Sequence, residues 1–323
     1  EDANWAGTKK SSQCTLILTE GDSAKSMAMA GMSIIGRDKW GVFPLKGKIL
    51  NVKDSVNSKK VGDNIEINNL IKIIGLKHKH VYKDVKDLRY GKVLILTDQD
   101  EDGSHIKGLV FNMFETLWPS LYKIDGFLNT MLTPVIKARK AKKEVSFYSV
   151  KDFDKWVMGP GNDKFSVKYY KGLGTSTPKE AKEYFKALKL VKYTTDASDD
   201  DMSLYLAFDK KENSSNNRKQ WLSNYDCENT LDYNSKQVSV TDFVNKDLIH
   251  FSVSDNIRSI PNAIDGLKPS QRKVLFCCMK RKLYEKEIRV AQLAGYVSEH
   301  GAYHYGEMSL YGTIVNMAQD FIN

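Results

Sequence analysis

The chain has 323 residues, with 49 Lys and Arg against 40 Asp and Glu, a formal net charge of +9. With 41% hydrophobic residues and 7 Pro there is ample apolar material for a packed interior, and the length favours two or three domains over one. No apolar run approaches the roughly 20 residues of a membrane-spanning helix. The opening residues lack the basic and apolar blocks of a signal peptide and read like the middle of a longer chain. Cys14, Cys227, Cys277 and Cys278 have no zinc spacing, and the adjacent pair suits a reducing compartment. The basic excess is compatible with a polyanionic partner, although many enzymes are equally basic.

In chain order, residues 14–19 form a β-branched apolar run that predicts a buried strand, closed by Glu20-Gly21-Asp22-Ser23, and 24–30 favours helix. Ile67, Leu70, Ile71 and Ile74 repeat at helical spacing, with Gly75 placed to end that helix. Residues 92–97 predict a second buried strand, which runs into Asp98-Gln99-Asp100-Glu101-Asp102-Gly103. An apolar helix is expected from about Ile106 to Trp118, with Pro119 marking its end. Strands alternating with helices predict a parallel sheet with right-handed crossovers. Residues 133–136 and 145–148 look like short strands around a basic turn. Thr177-Pro178-Lys179-Glu180 is a capping box opening a helix through Leu188. The polar stretch 209–218 reads as a surface loop, with little regular structure before Val240. Helices over 270–283, 290–299 and 306–322 would suit either a helix-turn-helix unit or generic helical packing. In the last, Tyr311, Ile314, Val315, Ala318 and Ile322 share a face.

The acidic cluster carries the most chemical information. Asp98, Asp100 and Asp102 repel one another unless a cation offsets them, and they follow a strand at the end where open α/β sheets place their sites. Glu20 stands at the equivalent end of the first strand. If the two strands are neighbours, four carboxylates converge into an oxygen-only set suited to Mg²⁺. An acidic surface turn is the plain alternative. A calcium loop of the EF-hand kind is disfavoured, because a strand enters the loop and no Glu closes it.

Five segments together resemble one family. They are Glu20-Gly21-Asp22-Ser23-Ala24, the loop from Pro44 to Val52, Asp98-Gln99-Asp100-Glu101-Asp102-Gly103-Ser104-His105, Tyr170-Lys171-Gly172-Leu173-Gly174-Thr175-Ser176, and Arg258-Ser259-Ile260-Pro261 running into Asp265-Gly266-Leu267-Lys268-Pro269. They resemble, in the same order, the motifs of type II DNA topoisomerases, and the single-chain eukaryotic kind more than bacterial gyrase. The resemblance implies an α/β toprim domain with a parallel-rich sheet at 1–132, an α+β connecting region at 133–245 and the start of a helical winged-helix domain at 246–323.

By the same resemblance, Glu20, Asp98, Asp100 and Asp102 hold Mg²⁺, two ions being expected, and Glu20 helps return a proton on religation. Lys46, Lys48 and Asn51 contact DNA phosphates, Lys46 standing where the family often has Arg. His105 and Lys107 would support the acidic loop or be ordinary surface residues. Arg258 and Lys268 act on the cleaved strand's phosphate. Tyr303 and His304 belong to a DNA-contacting loop that commonly reads Tyr-His-His-Gly-Glu, and Tyr305 replaces the second His. None of the 16 Tyr has the context of the family's nucleophile, which is expected beyond Asn323. ATP is expected to bind only a domain that would precede Glu1, so residues 1–323 alone should neither cleave DNA nor hydrolyse ATP. The implied partners are duplex DNA and a second copy of the full-length enzyme, with no membrane association and a nuclear location. The rival readings are a toprim nuclease or primase, a protein of the bacterial gyrase type, and a basic DNA-binding module whose acidic loop is structural.

Overall fold

Two apolar runs, β1 (Thr15–Glu20) and β3 (Lys92–Leu96), lie side by side in parallel at the centre of a six-stranded sheet. Its other strands are β2 (Trp40–Leu45), β4 (Leu128–Met131), β8 (Leu190–Thr194) and β9 (Gln237–Ser239), in the order β2-β1-β3-β4-β8-β9. Every pairing is parallel except β4 with β8. A second, antiparallel sheet has β5 (Ile136–Lys140) between β6 (Lys143–Phe147) and β7 (Ser166–Tyr169). This computed structural model describes residues 1–53, 58–170, 172–195, 198–284, 286–303 and 305–320. It forms two compact units, 1–251 and 252–323.

The central strands are continuously apolar because both faces are covered. Successive side chains of a strand point to opposite faces. Leu16, Leu18, Val93 and Ile95 accordingly join one core, and Ile17, Leu94 and Leu96 join the other. The first core is capped by α3 (Glu101–Leu117), whose Phe111 and Phe114 are fully buried. The second is capped by α1 (Gly21–Ile35) and α4 (Pro178–Ala187). Between them in sequence, α2 (Ile65–Ile74) ends on Gly75 in the left-handed conformation, as its spacing predicts. The α1–α4 contact is close enough that a Cβ on Gly31 would lie 2.1 Å from the Phe185 ring. Gly31→Ala is therefore expected to destabilise the protein by about 1–3 kcal/mol, measurable as a lower denaturation midpoint.

The structure corrects several sequence expectations. Helix α3 starts at Glu101, five residues before the apolar periodicity, because Asp100 caps it by accepting a bond from the Gly103 N–H at 2.8 Å. The helix does end before Pro119, with Trp118 as its cap, and Pro119 itself opens an unexpected short helix, Pro119–Tyr122. The strand expected at 133–136 begins only at Ile136. The stretch 209–218 is half helical: Asn213, at φ +69°, leads into the helix Ser214–Ser223, and Ser198–Phe208 is also a helix. Periodicity could not expose Ser214–Ser223, since polar residues fill most of its positions.

In the second unit the helices Pro269–Lys280, Val290–His300 and Glu307–Met317 enclose a core of Val274, Cys277, Leu293, Val297, Leu310 and Ile314. The last is shorter than expected. Leu310 and Ile314 are its buried residues, whereas Val315 is exposed and Ile322 lies outside the described residues.

Candidate metal centre and nucleic-acid interface

Parallel register brings three strand ends to one edge. Glu20 pairs with Leu45, the last residue of β2, and Thr19 pairs with Leu96, the last of β3. The chain after β2 therefore carries Lys46 and Lys48, the end of β1 carries Glu20, and the chain after β3 carries Asp98, Asp100 and Asp102, all at the carboxyl edge of the sheet. The condition set by the sequence, neighbouring strands, is met.

Tight turns hold these groups in place. Gly21 takes φ +71° at the strand-to-helix turn after Glu20, a conformation that costs glycine little. A Cβ on Gly103 would lie 2.1 Å from the Asp98 carbonyl oxygen, so the corresponding turn after β3 also needs glycine. The Asp98 N–H donates to Glu20 Oε2 at 3.3 Å, and the Leu173 N–H donates to Asp98 Oδ1 at 2.7 Å. The loop supplying Leu173 follows Tyr170, whose phenol donates to Glu180 Oε1 at 2.6 Å. Glu180 in turn completes the expected capping box with Thr177 and binds Lys168. Burial opposes its ionisation, but the bonds from Tyr170, Thr177 and Lys168 hold its carboxyl down to about 2. A polar cleft of about 50 Å³ lies between this loop and the acidic one, lined by Asp98, Asp100, Thr133, Tyr170 and Gly172 among others.

The electrostatics are those of a site short of positive charge. Burial, with the charges of Asp98, Asp100 and Asp102, raises the Glu20 carboxyl to about 7. Burial also raises Asp98 and Asp100, against the Leu173 and Gly103 N–H groups that favour their ionised forms. Asp102 forms an ion pair with Lys48 Nζ at 2.8 Å. Among the described residues, no three acidic, His or Cys side chains close into a metal-holding group. The donor set nevertheless fits a hard divalent cation: it is all carboxylate oxygen, and burial, helped at Glu20 and Asp100 by the neighbouring carboxylates, disfavours its ionised forms until a cation is present. Such a cation keeps several waters and takes its remaining ligands from phosphate.

Other expected residues sort differently. Lys46 and Lys48 project from a turn at Gly47, φ +96°, between buried Leu45 and Ile49. Asn51, by contrast, is committed inside the fold: its amide donates to the Phe208 carbonyl at 2.9 Å and accepts from Lys53 N–H and Asn112 Nδ2. These bonds brace the loop and use the Asn51 Oδ1 and one of its two Nδ2 hydrogens. His105 is half-buried and stacks on Phe251 with ring centroids 3.9 Å apart, whereas Lys107 is 2% exposed and is not a surface residue.

In the second unit, Arg258 bonds Asp255 at 3.1 Å and lies 5.8 Å from the Tyr305 ring. Lys268 stands at the start of the helix Pro269–Lys280, where its N–H donates to Gln271 Oε1 at 2.8 Å. The turn before it is tied by two Arg272–Asp265 bonds of 2.8 Å each. Tyr303 is buried in the helical core, Tyr305 is exposed, and His304 lies outside the described residues, as does Lys171. Sequence reasoning assigned no role to the Leu173 N–H or to Asp247. The first was quoted only as part of a motif, and the second had no local signal.

A parallel sheet with Glu20 and the three aspartates at its carboxyl edge defines a toprim-type carboxylate centre, and comparison with known proteins extends this assignment over the chain. Residues 15–127 match the family model for the toprim domain and 131–256 that for the C-terminal associated domain of toprim. Residues 258–323 match the model for the A-type chain of DNA gyrase and topoisomerase IV. DNA topoisomerase 2-alpha of Mus musculus is 51% identical over the whole chain, which covers 22% of that relative. DNA topoisomerase 2 of Bombyx mori is 52% identical with the same coverage. A crystal structure of the Plasmodium falciparum topoisomerase II DNA-binding, cleavage and re-ligation domain superposes with a TM-score of 0.86 at 50% identity. That match covers 99% of this chain and 44% of that one. The chain belongs to the type II DNA topoisomerase family, of the eukaryotic topoisomerase 2 kind, and spans about a fifth of the length of the relatives it matches.

Proposed function

We propose that this chain forms the metal-binding part of the DNA cleavage and religation core of a eukaryotic type II topoisomerase. The full-length protein would be a nuclear homodimer that passes one duplex through another with ATP hydrolysis. The functional division is 1–132 for metal binding, 133–245 as a connecting region and 246–323 for DNA engagement. The observation that carries the reading is the convergence of Glu20 with Asp98, Asp100 and Asp102 at one sheet edge, where burial, together with the charges of the three aspartates, raises Glu20 to about 7. These four carboxylates would hold Mg²⁺, two ions being the expected complement. Bound there, Mg²⁺ supplies charge stabilisation to the oxygens of the phosphate undergoing transfer.

The residues of the chain have separable roles. Glu20, when it carries a proton, is placed to return it to the leaving oxygen on religation. Lys46 and Lys48 lie at the same edge and would meet the DNA backbone, Lys48 exchanging Asp102 for a phosphate. Arg258 and Lys268 would take the phosphate of the cleaved strand, and the segment with Tyr303 and His304 would contact DNA. Tyr305, beside Arg258, fills the place of the family's second histidine. Tyr170, which lines the cleft with Asp98 and Asp100, does not suit the nucleophile's part. Burial and the bond to Glu180 push the Tyr170 phenol far above its ordinary range, the reverse of activation. The family resemblance, and not this one residue, is what gives the nucleophile's part to a tyrosine outside residues 1–323.

Calorimetric titration with Mg²⁺ tests the assignment. Asp100→Ala should abolish the uptake seen with the unsubstituted protein, and full uptake by the variant would move the metal elsewhere. DNA affinity should fall by orders of magnitude between roughly 50 and 200 mM salt, as counterion release requires.

A further inference from the structure

A buried ion pair lies one to two helical turns behind the metal carboxylates. Residues 240–259 run as helix throughout, but Val244–Leu248 is wound as a π-helix, an irregularity that is uncommon and concentrates at functional sites. It carries Asp247, which is 7% exposed. Both oxygens of this carboxylate are taken by α3. Ser104 Oγ donates to Oδ1 at 2.7 Å and Lys107 Nζ donates to Oδ2 at 3.0 Å, across some 140 residues of sequence. Burial, and next to it the nearby Asp247 charge, raise the Tyr233 phenol well above its ordinary range.

We infer that Asp247 is a positioning residue for the metal centre, clamping the first two turns of α3 through Ser104 and Lys107 and so fixing where Asp100 and Asp102 point. This rests on the metal-binding role proposed above for those two aspartates. The link to them is short. Ser104 is two residues after Asp102, and its N–H donates to the Asp100 carbonyl at 3.1 Å. The Lys107 ammonium also feels the Asp100 charge from behind. Stability alone is a weak reason for such a pair, since a buried ion pair is generally no better than apolar residues of similar volume. Fixing a register is the better-attested use. The π turn supports the same view, because it interrupts regular helix at the segment that carries this carboxylate.

The experiment uses the full-length enzyme with Mg²⁺ alone as probe, read by calorimetry, together with thermal melting and hydrogen exchange at the Gly103 and Ser104 amides. Asp247→Asn should weaken Mg²⁺ binding by about 10–100-fold, the usual effect of losing a group that orients ligands, and should speed exchange at both amides. Where that variant fails to fold, Ser104→Ala and the paired Lys107→Met with Asp247→Leu decide. Ser104→Ala should weaken Mg²⁺ binding several-fold. The apolar pair should keep the melting temperature and still lose Mg²⁺ affinity. Asp100→Ala is the reference that loses uptake altogether. If Asp100→Ala loses uptake while the folded Asp247 and Ser104 variants bind Mg²⁺ as the parent does, the clamp is purely structural and this inference is overturned alone. If Asp100→Ala keeps full uptake, the metal-site reading fails and the inference falls with it.

Discussion

Glu20→Gln is expected to make the metal-free protein more stable and the enzyme nearly inactive. The folded-state pKa of Glu20 is raised from 4.5 to about 7, so between these values the native state binds more protons than the unfolded chain. Stability then falls as pH rises through that window, and above about pH 7 the full penalty of an ionised Glu20 is present. The difference corresponds to at most roughly 3–4 kcal/mol, and to less once solvent screening of this partly exposed group is counted. Glutamine removes the charge and keeps an oxygen able to accept the Asp98 N–H bond. Thermal melts without divalent metal should show the parent losing stability from pH 5 to pH 8 and the variant losing much less. Added Mg²⁺ should restore the parent at pH 8 and do little for Glu20→Gln. In the full-length enzyme the same substitution should lower DNA cleavage by about 10²–10³-fold, the usual cost of removing one element of transition-state charge stabilisation. Its effect on DNA binding should be small. A variant as pH-sensitive as the parent would show that the negative charge at this edge is balanced from elsewhere.

The sequence made the centre of this site legible because its signals are local. A β-branched run followed by an acidic, glycine-bearing turn occurs at Glu20 and again at Asp98, and parallel pairing of the two runs is the natural way to bury both faces. The capping box at Thr177 was equally visible, because four consecutive residues contain it. Features set by distant partners were not. Lys107 reads as an exposed helix cation until Asp247, 140 positions later, is brought against it. Asn51 reads as a phosphate ligand alone, and its bonds to Phe208 and Asn112 have no local signal. The π turn at Val244–Leu248 has no residue-type signature that separates it from regular helix.

The glycine pair in the loop facing Asp98 offers the sharpest separation of sequence from geometry. Gly172 and Gly174 are two residues apart in one motif, yet their surroundings differ. A Cβ on Gly172 would fall 2.4 Å from Asp98 Oδ2 and 3.1 Å from its Cγ. One on Gly174 would meet Ser23 Cβ at 3.5 Å, ordinary van der Waals contact. Gly172→Ala must therefore displace either the loop or the Asp98 carboxylate, and either movement breaks the Leu173 N–H bond that orients it. The expected cost is about 1–3 kcal/mol of stability. Because a displacement near 1 Å at a catalytic group commonly costs about 10²-fold, DNA cleavage by the full-length enzyme should fall by that order. Gly174→Ala should change both by little. Melting curves and a cleavage assay on the two variants check this directly, and equal behaviour would mean that the Gly172 loop yields without disturbing Asp98. Unequal behaviour would show that the motif needs glycine at Gly172, where both the Asp98 carboxylate and a backbone φ of +157° oppose a side chain, and does not need it at Gly174.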